Sequence, residues 1–134
     1  MTQKEIDLLL QDICSRLPYG VKVKYENEIF DVECVCPMYE EVKLDIPETW
    51  TIGGVSEVKP YLFPMSSMID EDHTIYSKIW EDTGKTAYLE GCHHLISTIK
   101  AYKAANDYLL SKHYDINGLI PMGLAIDATD KNIY

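Results

Sequence analysis

Eleven residues in mid-chain, Val58-Lys59-Pro60-Tyr61-Leu62-Phe63-Pro64-Met65-Ser66-Ser67-Met68, separate two kinds of hydrophobic pattern. Pro60 and Pro64 hold Lys59 and Phe63 out of helical geometry, while Tyr61, Leu62, Phe63, Met65 and Met68 are too apolar for a solvated linker. Upstream the apolar residues recur mainly every second position, downstream every third or fourth. The connector has to be packed. The expectation is a single α+β domain over 1–134, strand-rich at about 18–64 and helical at about 65–134. A length of 134 residues suffices for one core without disulfides or a structural metal.

The first helix is written plainly. Thr2-Gln3-Lys4-Glu5 is a capping box, and Ile6, Leu9, Leu10, Ile13 and Leu17 follow at helical spacing until Pro18 stops them, with Cys14 beside the stripe. Val21, Val23 and Tyr25 then alternate with Lys22 and Lys24 as a strand with one buried face. Glu26-Asn27-Glu28 is a turn. The second strand, Ile29 to Cys36, places Phe30, Val32, Cys34 and Cys36 inward and ends at Pro37; the third, Glu41 to Ile46, ends at Pro47. Thr49 to Ile52 and Val55 to Val58 read as one more hairpin with Gly53-Gly54 in its turn. A small antiparallel sheet or partial SH3-like barrel, capped by the first helix, accounts for these lengths.

After the connector, Ser66 or Ser67 reads as the N-cap of a short helix with Asp70, Glu71 and Asp72 in its first turn, broken at Asp82-Thr83-Gly84. A longer helix from about Thr86 to Lys112 carries Leu89, Cys92, Ile96, Ile99, Tyr102 and Leu109 near one stripe, which predicts that this stripe faces inward. Asn117-Gly118 is a turn signal, and Leu124 to Asp127 is a short strand returning to the sheet.

Two phrases carry a resemblance: Lys59-Pro60-Tyr61-Leu62 with Pro64-Met65-Ser66-Ser67-Met68, and Asp115 with Gly118-Leu119-Ile120 and Gly123-Leu124-Ala125. In these the chain resembles a group of small proteins from Bacteroides genomes, their prophages and other mobile elements. The resemblance covers about a fifth of the chain. It implies a bacterial or phage context and transfers no site.

A formal charge of −10 argues against nucleic acid as a partner, because that affinity comes from clustered Lys and Arg displacing counterions. The start, Met1-Thr2-Gln3-Lys4-Glu5-Ile6, lacks the features of a secretory signal, and no apolar run approaches a membrane span. The expectation is a cytoplasmic protein with reduced thiols at Cys14, Cys34, Cys36 and Cys92.

No catalytic motif stands out, and no cofactor is implied. Cys92-His93-His94 is a weak metal or thiol candidate, with Cys34 and Cys36 able to complete a zinc site, but adjacent helical residues diverge by about a hundred degrees. Asp70, Asp72 and His73 are a second candidate, for acid/base work or a divalent cation, although acids gather at helix starts for dipole reasons. Ten tyrosines, six of them between Tyr61 and Tyr114 inclusive, suit a recognition surface. The function expected is therefore a non-enzymatic interaction or accessory protein, with an aromatic binding face at Trp50, Tyr61, Phe63 and Trp80 for an unknown protein partner and a homo-oligomer left open. The rivals are an enzyme built on Cys92, His93 and His94, and an acidic mimic of DNA that inhibits a DNA-binding enzyme.

Overall fold

The computed structural model describes residues 1–46, 51–91 and 93–134. Helix α1, Gln3–Arg16, begins at the capping box: Glu5 N donates to Thr2 Oγ1 at 3.2 Å and Thr2 N donates to Glu5 Oε2 at 2.7 Å. Strands β1 (Lys22–Tyr25), β2 (Glu28–Cys36), β3 (Glu41–Leu44), β4 (Thr51–Gly54) and β5 (Lys59–Leu62) follow, then helices α2 (Asp70–Leu89) and α3 (His94–Ser111), then β6 (Ile126–Asp127). This is an α+β fold. The sheet order is β4-β3-β2-β1-β5-β6, antiparallel throughout except that β6 returns parallel to β5.

The connector is packed as its apolar content requires. Its first part is β5, with Pro60, Tyr61 and Leu62 buried between β1 and β6. The core gathers Leu9, Leu10 and Ile13 of α1, the inward side chains of β1, β2, β3 and β5, and Leu119, Leu124 and Ala125 from the returning segment. Among the described residues, none from α2 or α3 belongs to it.

Inside this frame lies the chain's only arginine. Arg16 and Asp12 are both fully buried, joined by Nε to Oδ2 at 2.7 Å and Nη2 to Oδ1 at 3.0 Å. Arg16 Nη2 also donates to Tyr114 O at 2.8 Å, and Asn117 Nδ2 donates to Asp12 Oδ1 at 2.9 Å. This pair ties α1 to the segment after α3.

Several sequence expectations need correcting. Gly53 and Gly54 lie within β4, which pairs with β3, and Val55–Glu57 is a 3-10 turn and not a strand. A Cβ on Gly53 would sit 3.0 Å from Tyr25 Cε2, so glycine is there because the Tyr25 ring crosses over it. In β2 a bulge between Val32 and Cys34 reverses the alternation. Val35 packs against the core, and Cys34 and Cys36 are exposed.

The helical half differs most. Helix α2 starts after Ile69, not at Ser66 or Ser67, and runs straight through Asp82-Thr83-Gly84. A Cβ on Gly84 would meet the Ala101 Cβ at 3.9 Å, an ordinary van der Waals contact, so this point of α2 faces the small-residue side of α3. The break falls at Gly91, whose φ of +83° suits a helix end, and α3 begins at His94, not Thr86. The face α3 buries is Ser97, Ala101, Ala105, Leu109 and Leu110, so the expected inward stripe at Ile96, Ile99 and Tyr102 points to solvent. Small residues let α2 and α3 close on each other, and the larger ones are left outside.

Candidate functional site

Where the helical hairpin joins the sheet, four stretches of the chain border an open cavity of about 520 Å³. Phe63, just after β5, exchanges main-chain hydrogen bonds with the segment after α3: Phe63 N donates to His113 O at 2.9 Å and Asp115 N to Phe63 O at 2.8 Å. Asp72 reaches the cavity from the first turn of α2. Its two oxygens accept from the hydroxyls of Tyr108 at 2.7 Å and Tyr114 at 2.6 Å. Tyr134 folds back over the opening, its hydroxyl donating to Tyr61 O at 2.8 Å and accepting from Lys22 N at 3.0 Å.

The rings form walls. Phe63 lies 6.4 Å from Tyr114 and 6.0 Å from Tyr134, at interplanar angles of 60° and 54°. Tyr134 stacks on His113 at 3.6 Å and 10°. His113 itself sits at φ +65°, at the C-terminal end of α3.

The electrostatics follow from these contacts. The phenol hydrogen bonds from Tyr114 and then Tyr108 hold the Asp72 carboxyl below its ordinary range. Burial, reinforced by the hydrogen bonds to Asp72, pushes both phenols up to about 12. Burial first, then the positive charges of Arg16, Lys112 and Lys22, pulls His113 down to about 4. At neutral pH Asp72 is thus ionised, its two phenol partners are protonated, and the His113 imidazole is neutral with its Nδ1 buried without a partner. The hydroxyls of Ser67 and Ser111 donate to Pro64 O and Tyr108 O and not to His113 or Asp72. The arrangement is suited to holding a ligand more than to moving a proton.

The imidazole supplies a direct check. In a proton NMR titration one of the four histidines should show a midpoint near pH 4, and Tyr134→Ala, which removes the ring stacked on it, should move that midpoint toward 6.5. A folded-state value below the unfolded one means that stability is full above pH 6.5 and falls as pH drops through about 4. For this half-exposed ring the loss is roughly 1–2 kcal/mol after solvent screening. A His113 midpoint above 6 in the intact chain would contradict the geometry.

The residues singled out from sequence are distributed differently. Tyr61 is buried in β5 and Phe63 faces the cavity, while Trp80 packs edge-on against Tyr102 at 6.2 Å on the hairpin. Trp50 and Cys92 lie outside the described residues. His93 is a helix cap, its Nδ1 accepting from Leu95 N at 3.2 Å, and His94 is exposed. Asp70 and His73 are exposed and do not join Asp72 at its tyrosines. Among the described residues no three of His, Cys, Asp and Glu gather as a metal site. On the sheet, Asp31 and Glu33 pair with Lys22 at 2.9 Å and Lys43 at 3.1 Å.

Sequence reasoning passed over Tyr108, Tyr114, His113 and Tyr134 as a group. Only the tyrosine surplus hinted at them, because Asp72 is 36 residues from Tyr108 and 42 from Tyr114. The chain matches no family model, no curated protein and no solved structure. Among the described residues no helix is long and apolar enough to cross a membrane.

Proposed function

We propose that this chain is a non-enzymatic interaction or accessory protein, cytoplasmic and of bacterial or phage origin, that works as a pair of identical copies joined through their α2–α3 hairpins. The observation that carries this reading is the outward stripe of α3. Leu95, Ile99 and Tyr102 are 61%, 53% and 58% exposed, and Ile96 flanks them at 44%. Steps of four and three place the first three along one line of the helix, the spacing by which helices pair.

A second copy is the occupant that fits. From Gly91 to Asn106 the chain has no Asp or Glu, so two such faces meet without bringing carboxylates together in a protein of charge −10. A two-fold axis makes one stripe complementary to itself. Trp80 and Tyr76 of α2, beside Tyr102, extend the face across the hairpin. Four side chains this exposed bare on the order of 400 Å², within the span of the largest patch on a typical monomer, which is often functional. Two copies therefore bury roughly 800 Å² before flanking residues are counted, below the ~1,200 Å² of standard interfaces, so the dimer is weak and reversible.

Sedimentation velocity from about 5 to 500 μM should show dimer growing with concentration, a micromolar association. Ile99→Glu should be monomeric over that range with unchanged helical content, since an exposed substitution alters folding by about 0.5 kcal/mol or less. Wild-type protein that stays monomeric at the top of the range would overturn the proposal.

A further inference from the structure

The junction cavity has a function of its own to offer, independent of the hairpin stripe. We propose that it binds a small organic ammonium ion, the charge held at Asp72 and the carbon body laid against Phe63, Tyr114 and Tyr134.

Three observations converge on this ligand. First, three aromatic rings line the cavity, Phe63 inclined at 60° to Tyr114 and at 54° to Tyr134, and a ring face presents negative potential to a cation placed over it. Second, Asp72 is kept ionised in a nearly buried position by two phenol hydroxyls; each oxygen keeps a further lone pair for an N–H donor. Third, the opposing charge is weak. Lys112 lines the cavity but is drawn over the Tyr108 ring at 5.9 Å, His113 is neutral, and Asp130 adds a second carboxylate to the lining. An anionic ligand would meet both acids; a neutral one would leave Asp72 with only the more distant charge of Lys112 to answer it. The chain's overall charge of −10 draws cations toward the opening. A volume of about 520 Å³ accommodates one ring with a short side chain.

The test compares three probes of the same shape: phenethylamine, charged at neutral pH, with the neutral 2-phenylethanol and the anionic phenylacetate. Each is titrated into the full chain by NMR, following the rings of His113 and Tyr134. Phenethylamine should bind at least about tenfold more tightly than either of the others and shift both rings. Phe63→Leu, which keeps the apolar lining and removes one ring face, should weaken it about three- to tenfold, and Asp72→Asn should erase the preference for charge. Should Asp72→Asn fail to fold, the wild-type ratio of phenethylamine to 2-phenylethanol decides alone. No saturable phenethylamine binding up to about 10 mM, or equal binding of the alcohol or the acid, overturns the proposal.

Discussion

Asp12→Ala should cost about 3–5 kcal/mol of folding stability, a large share of the ~5–15 kcal/mol that a domain of this size has in hand. The reason is what it strands. Arg16 is fully buried and its Nη1 already lacks a partner, so removing Asp12 leaves a guanidinium whose main remaining tie is the Tyr114 carbonyl. Asn117 loses its acceptor at the same time. Urea denaturation read by circular dichroism gives the loss directly. Asp12→Leu combined with Arg16→Met should recover most of it, because replacing both charges removes the uncompensated ion. An Asp12→Ala midpoint indistinguishable from wild type would mean that water reaches Arg16.

Leu62→Ala should cost roughly 3 kcal/mol, or about 10 °C in melting temperature. Leu62 is fully buried in the core cluster, and its carbonyl accepts from Ala128 N at 2.8 Å. Truncation there leaves a void flanked by β1 and β6, elements that have limited freedom to collapse inward. The same substitution at Leu89, 83% exposed at the end of α2, should change stability by less than about 0.5 kcal/mol. Equal losses at the two positions would mean that β5 is not the strand the interior is built on.

How far the sequence could be read follows from which forces set each element. The capping box, the Val21-Val23-Tyr25 alternation and the packed connector depend on local signals, and the structure has all three. The helical half depended on a choice that periodicity cannot make. Two faces of α3 are apolar, one of large and one of small residues, and the larger looked more like core. The face α3 buries is the smaller, at Ser97, Ala101 and Ala105. Nothing local marks Asp12 and Arg16 as a buried pair, because only the fold places Tyr114 and Asn117 over that side of α1. The bulge in β2 likewise has no marker in Glu33-Cys34-Val35. The cavity was the least legible feature, since its members lie at four separate places in the chain and meet only in the fold.

Among the described residues the paired helices give no side chain to the central cluster, so whatever leans on their far end reaches the body through the Phe63 backbone, the Asp72 carboxylate with the two hydroxyls that grip it, and the contact of α3 with α1. Phe63 and Asp72 border the cavity as well. Filling that space and tilting the hairpin act on the same hinge, so a small molecule there would have leverage over a surface several helical turns away.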